Sequence, residues 1–347
     1  MPISEAISLI EKQINHPLKP AGANQLPLPL RLQHLMLPDE DKKGTYLVED
    51  DKLIALNLSG MELKDGQLEF LNHEACESLQ ALSLIENQFG EFVVPGTLQE
   101  LKCLILNHNE GLKEVTFKQG LKKLERLDLN TCGLKSLKLS ADFDSLEFLY
   151  LSNNRSLEEL DLSGSFPKLK YLYISSCGLS KLELKEDFPA LVSILANDNQ
   201  LKEAPEVGKG TLLVLENLDL RGNQISMIEA GFLNPFPALL DLRITQNPLS
   251  EAILSNLGKS PSEDRNFIER YTLELLQANE LDNECKVLLI GNGKVGKSCL
   301  VERLVSNRFE PEWKSTHGIV LEQYPKPPKK NPLLEPYILN LWDFGGQ

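Results

Sequence analysis

The chain has 347 residues, enough for a repeat array plus a further domain, and 41% hydrophobic with 25% charged residues is an ordinary globular balance. Acidic residues outnumber basic ones 50 to 36, a formal −14, which argues against extended contact with nucleic acid or an anionic membrane. No apolar run approaches the 18 or more residues that a spanning helix needs. The six cysteines, Cys76, Cys103, Cys132, Cys177, Cys285 and Cys299, stand singly. They read as reduced thiols of a cytoplasmic protein, with no zinc-ligand spacing among them.

Residues 3–14 place Ile3, Ile7, Ile10 and Ile14 on one helical face. Pro17, Pro20, Pro27, Pro29 and Pro38 then break the chain into an irregular leucine-rich connection. Residues 1–50 are expected to form an N-terminal cap. From Leu53 the frame L-x-x-L-x-L-x-x-(N/C)-x-L starts nine times, at Leu53, Leu79, Leu101, Leu124, Leu146, Leu169, Leu191, Leu215 and Leu239. The steps are 26, 22, 23, 22, 23, 22, 24 and 24 residues, the period of leucine-rich repeats. Residues 51–250 therefore predict a parallel-stranded solenoid of nine units.

The polar position of the frame holds Asn87, Asn109, Cys132, Asn154, Cys177, Asn199, Asn223 and Asn247, with Met61 in the first unit. These side chains are expected to bond backbone carbonyls where the chain turns inside the coil. Units three and five carry one extra residue before Leu112 and Leu157. Residues that alternate with the leucines face outward on the concave side. There Arg126 and Asp128 of unit four precede Phe148 and Tyr150 of unit five and Tyr171 and Tyr173 of unit six. This aromatic patch with a charged flank is the candidate protein-binding surface. Outward positions in units eight and nine include Asp219, Arg221, Asp241 and Arg243. Residues 251–283 form a C-terminal cap or linker, in which Ser260-Pro-Ser-Glu263 is a capping box opening a helix to about Asn279.

The strand Cys285-Lys-Val-Leu-Leu-Ile runs into Gly291, Asn292, Gly293, Lys294, Val295, Gly296, Lys297 and Ser298, then a helical pattern from Cys299. This is G-x-x-x-x-G-K-[ST], in which glycines let backbone N–H groups curl around phosphates. Lys297 neutralises the terminal phosphates and Ser298 is a Mg²⁺ ligand. Thr316 precedes a strand, and Tyr337-Ile-Leu-Asn-Leu-Trp-Asp343 is another, ending in Asp343-Phe-Gly-Gly346-Gln347.

Residues 285–347 resemble Ras-like small GTPases, and the 18 residues from Ser298 to Thr316 are that family's usual separation. The resemblance implies that Thr316 and Asp343 complete the Mg²⁺ shell, that the Gly346 amide meets the γ-phosphate and that Gln347 is the catalytic residue orienting water. It also implies that Gly293 leaves room for that glutamine. Leucine-rich repeats followed by such a domain resemble the Roco family, whose GTPase module is Roc. That implies an α/β architecture, a leucine-rich-repeat solenoid followed by the N-terminal part of a P-loop GTPase domain (284–347), with GTP or GDP and Mg²⁺ as ligands. It further implies a homodimer through a COR domain. The chain stops at Gln347, before the N/T-K-x-D motif that selects guanine, so turnover by this chain alone is not expected. The alternative is a repeat scaffold with an inert P-loop segment. A receptor-type ATPase fits less well, because such proteins place the nucleotide domain before the repeats.

Overall fold

The computed structural model describes residues 2–21, 43–184, 186–207, 212–279, 284–289, 299–300, 303, 319–326 and 337–344. It divides into two units, residues 1–272 and 273–347. Among the described residues of the first, eleven strands form one sheet in chain order. They are β1 (Lys19–Pro20), β2 (Thr45–Glu49), β3 (Lys52–Asn57), β4 (Ala81–Ser83), β5 (Cys103–Ile105), β6 (Arg126–Asp128), β7 (Phe148–Tyr150), β8 (Tyr171–Tyr173), β9 (Ser193–Leu195), β10 (Asn217–Asp219) and β11 (Asp241–Arg243). From β3 onward every pairing is parallel and in register, so the central leucines stack: Leu104 on Leu127, Leu127 on Leu149, Leu149 on Leu172. Each is 0% exposed. The solenoid expected from the frame is the observed fold.

Short parallel pairs, such as Glu91–Val94 with Glu114–Phe117, lie on the convex side. Beneath them Phe117, Phe143, Phe166 and Phe188 form a continuous ring column, with successive centroids 5.4, 5.7 and 5.7 Å apart.

The ladder positions behave as their chemistry requires. Asn154 donates Nδ2 to the carbonyls of Leu151 in its own unit and Leu129 in the unit before, at 2.6 and 2.8 Å. Its Oδ1 accepts from the Leu134 amide at 3.3 Å. Asn87, Asn199, Asn223 and Asn247 repeat this three-way pattern. Cys132 and Cys177 donate their thiols to the previous unit's carbonyls, Leu106 and Leu151, both at 3.3 Å. A thiol is a poor acceptor, so the amides that an asparagine would have satisfied turn elsewhere. Leu112 and Leu157 each bond the carbonyl three residues back, at 2.9 Å. These are the two units with the extra residue, and that residue is what permits the tight local turn. Met61 offers no polar atom, so the Leu58 carbonyl accepts only the ordinary ladder bond from Asn87 of the next unit, at 3.0 Å.

Every ladder residue is preceded by a left-handed one. Gly60, Glu86, His108, Thr131, Asn153, Ser176, Asp198, Gly222 and Gln246 have φ between +54° and +65°. Seven of the nine are not glycine, so the ladder bonds outweigh a cost of roughly 1–2 kcal/mol at each of them.

Both ends of the repeat core are covered. Helix α1 (Ile3–Ile14) buries Ile7, Ile10 and Ile14 and stops at Asn15 with φ 54°. The expected irregular connection differs at its end, where β2 pairs antiparallel with β3. Asp50 and Asp51 join them with φ of 48° and 61°, the signs a two-residue type I′ turn requires. The hairpin spans the expected boundary at residue 50. Most of the proline-rich connection lies outside the described residues.

At the other end the short helix α2 (Glu251–Leu254) leads to α3 (Pro261–Asn279). The Ser260 hydroxyl accepts from the Glu263 amide at 3.3 Å, the N-cap half of the expected box, and donates to the Glu263 carboxylate at 3.2 Å. Buried Asp264 accepts from the Gly258 amide at 2.8 Å. Ile268 is fully buried, Phe267 and Tyr271 pack beside it, and Arg265 donates Nε to the Leu239 carbonyl at 3.1 Å. The first half of α3 therefore closes the repeat core. The division between the two units falls after Thr272, inside this helix.

Candidate functional sites

In the second unit β12 (Glu284–Leu289), β13 (Ile319–Lys326) and β14 (Tyr337–Phe344) form a three-stranded sheet of order β12-β14-β13. β12 and β14 are parallel, with Leu289 opposite Asp343, and β13 is antiparallel to β14. Asp343 thus stands at the end of its strand beside the point where the chain leaves β12 for the glycine-rich loop. A parallel pair requires a crossover, and residues 299–300 and 303 within it are helical, with Cys299 half-buried. Gly291, Asn292, Gly293, Lys294, Val295, Gly296, Lys297 and Ser298 lie outside the described residues, as do Thr316, Gly346 and Gln347. Two hydroxyls and a carboxylate are hard oxygen donors of the kind Mg²⁺ takes, so the Ser298, Thr316 and Asp343 set fits that ion by chemistry. Among the described residues no group of three His, Cys, Asp or Glu gathers to hold a metal.

Residues 286–347 match the family described as Ras of Complex, Roc, domain of DAPkinase, and residues 144–186 match leucine-rich repeats in two copies. The arrangement is Roco-like: repeats, then Roc. A protein named Roc-COR-CHAT protease, from an unknown prokaryotic organism, is 30% identical over 359 residues. The alignment takes in 100% of this chain and 33% of that protein, so the chain spans about a third of the relative's length. The Ras-related protein Rab-34 of Sus scrofa is 36% identical over 62 residues, 18% of this chain and 22% of its own. Among solved structures, a leucine-rich-repeat protein of Leptospira interrogans aligns at 20% identity and a TM-score of 0.37, over 68% of this chain and 60% of its own. The Roc segment is thus Ras-like and the arm ahead of it is a leucine-rich-repeat coil.

The second candidate site lies on the concave face of that arm. Phe148 and Tyr171 stack with centroids 5.0 Å apart, and Tyr150 meets Tyr173 edge-on at 5.2 Å. All four rings are half-buried. The Arg126 guanidinium lies 4.7 Å from the Tyr150 ring centroid, within cation–π range. Nη2 of the same group bonds Asp128 at 2.9 Å. Asp128 itself is buried and also accepts from the Asn130 amide. Its contribution to the surface is to hold Arg126 in place.

Units eight and nine repeat the device, which the frame did not foretell. Buried Asp219 takes Nε and Nη2 of Arg221 at 3.0 and 2.6 Å, with Nη1 of Arg243 3.7 Å away. A signal was present: Arg and Asp two residues apart on one strand point to the same face. Burial opposes the Arg126 charge, but the Asp128 hydrogen bond and field outweigh it, so its pKa stays above the ordinary value. The Asp219 hydrogen bond does the same for Arg221. Burial raises the Tyr150 and Tyr173 hydroxyls, which keeps both neutral. Among the described residues no helix is long and apolar enough to cross a membrane.

Proposed function

We propose that this chain is the N-terminal part of a cytoplasmic Roco-type signalling protein. Its Roc segment binds GTP or GDP with Mg²⁺ and hydrolyses GTP as a switch in the whole protein. The observation that carries the reading is the Roc match over 286–347, together with Asp343 in register beside the start of the glycine-rich loop. The loop from Gly291 to Ser298, followed by Cys299, holds the phosphates through its amides and Lys297. Ser298, Thr316 and Asp343 offer oxygen donors to Mg²⁺, which when bound neutralises charge on the terminal phosphates. The Gly346 amide contacts the γ-phosphate and Gln347 orients the attacking water. The relative's name joins Roc and COR to a CHAT protease. By that analogy the switch governs an effector in the longer protein, and COR pairs two copies.

The repeat arm takes a protein partner on its concave face, at Arg126, Asp128, Phe148, Tyr150, Tyr171 and Tyr173. Centrally placed Tyr and Arg of this kind are the side chains that most often dominate binding energy.

Fluorescent GDP titrated into the chain with Mg²⁺, then competed with unlabelled GDP or ADP, tests the nucleotide reading. Saturable binding that GDP alone displaces, and that Lys297→Ala abolishes, is the expected result. Absence of binding would make the chain a repeat scaffold.

A further inference from the structure

We propose that the concave face of units four to nine accepts an extended protein segment carrying two carboxylates about 19 Å apart, with apolar side chains between them. This rests on the reading of the arm as a partner-binding element and adds what the partner must look like.

The face has three zones across the strands. At one end stands Arg126 on β6; at the other stand Arg221, just beyond β10, and Arg243 on β11. Between them Phe148, Tyr150, Tyr171, Tyr173 and Leu195, all half-buried, occupy β7, β8 and β9. From β6 to β10 there are four strand spacings of about 4.8 Å each, which sets the separation. An extended chain advances about 3.3 Å per residue, so its two acidic residues stand about six positions apart.

Three arginines face three aspartates here, Asp128, Asp219 and Asp241, so the formal charge of this face balances, but its placement does not. Asp128 and Asp219 have side chains only 5% and 4% exposed, whereas Arg126, Arg221 and Arg243 stand 44%, 43% and 46% exposed. Asp128 and Asp219 are used from below and Asp241 is half-buried, so the three guanidiniums are the most exposed charges that a partner meets. Asp128 takes one nitrogen of Arg126 and Asp219 takes two of Arg221, of the five N–H groups each fork carries. The remaining donors are held in place beforehand, which lowers the ordering cost of binding.

The chain's −14 repels an acidic segment at long range, but at physiological salt that field is screened within about 8 Å. Contact with the pinned arginines therefore decides. Three guanidiniums are too few to hold nucleic acid against that net charge, and the apolar centre has no use for a phosphate backbone.

The test is a library of random 12-residue peptides displayed on phage and panned against the full chain. Enriched sequences are expected to carry two Asp or Glu about six positions apart with Leu, Phe or Tyr between. A fluorescein-labelled synthetic representative should weaken about 10-fold when either carboxylate becomes an amide. Arg243→Gln should weaken it as well, because it removes one of the two guanidiniums at that end, and it leaves the Arg221–Asp219 pair intact. So should the double variant Arg126→Gln with Asp128→Asn, which replaces the pair without stranding a buried charge; circular dichroism checks that both variants fold. Peptides that lose affinity in Tyr171→Ser yet carry no acidic pair, or ignore the arginine changes, would overturn this proposal while leaving the concave face as the docking site. No enrichment, or enriched peptides indifferent to all of these variants, would overturn the docking reading with it. Loss of GDP binding in Lys297→Ala is independent of every one of these results.

Discussion

The concave sides of units one to three and of units four to nine share one parallel register but carry opposite contents. In the first three, Ala55, Ala81, Ile85 and Ile105 occupy outward positions and are 0–6% exposed, forming a second apolar cluster with Leu47 and Ile54. In the later units the same positions carry arginine, aspartate and half-buried rings. Register fixes where a side chain points, whereas the choice of residue fixes whether that position is core or surface. A solenoid can thus devote one stretch of a single sheet to stability and the next to recognition.

Substitutions can break that contrast. Ala81→Asp places a carboxylate at a site with 0% exposure and should cost upwards of about 4 kcal/mol in urea unfolding. Tyr171→Ser on the later face should cost about 1 kcal/mol or less, because the ring is already half in water. Equal costs would erase the distinction. Below the sheet, Asn154→Ala removes two carbonyl partners and one amide partner in a fully buried turn, for about 3 kcal/mol. Cys177→Ala removes one thiol donor shared between the Leu151 and Ser175 carbonyls and should cost about 1 kcal/mol. The ratio of these two measures how much more the asparagine does than the cysteine.

Thr131 is β-branched with φ of 54°. Thr131→Gly relieves that strain by roughly 1–2 kcal/mol and adds roughly 0.5–1 kcal/mol of chain entropy cost, so the melting temperature should rise slightly. An unchanged or lower value would show that the turn carries no strain. The thiols have no effect at neutral pH. Burial pushes Cys76 and Cys132 up to about 12, and Cys103 and Cys177 up to about 11, from an ordinary 9.0. The unfolded chain therefore loses these protons first, and stability should fall as pH rises from about 9 towards those values. Protection against iodoacetamide at pH 8 checks the same burial.

The repeat was legible because one frame recurs nine times and each recurrence demands the same packing. The asparagine ladder was legible for the same reason, and so were the end helices, from the Ile3–Ile14 face and the Ser260 box. The hairpin was not: Asp50-Asp51 is a weak turn signal, and β2 lies outside the frame. Nor were the left-handed residues, since Glu86, Ser176 and Gln246 have no propensity for that conformation and adopt it because the next side chain must turn inward. Site legibility divides likewise. Asp343 was singled out by motif and its backbone position lies opposite Leu289, whereas the Arg–Asp couples needed two strands and a burial pattern to become visible.

The direction of the ladder has a consequence for how the arm is made. Asn87 completes the turn of unit one, Asn154 that of unit four and Asn247 that of unit eight. Each coil therefore stays unfinished until the next one arrives, and chains are synthesised from the N-terminus. During translation the growing arm carries one open turn at its leading edge, which advances toward the ribosome as each following asparagine or cysteine emerges. After Asn247 no further ladder residue follows, and the Leu249 amide turns back on the Asn247 carbonyl while Arg265 of α3 takes the Leu239 carbonyl. Completion of the arm thus waits for a helix about 20 residues downstream, and a ribosome paused before Arg265 would hold a coil whose last edge is still open.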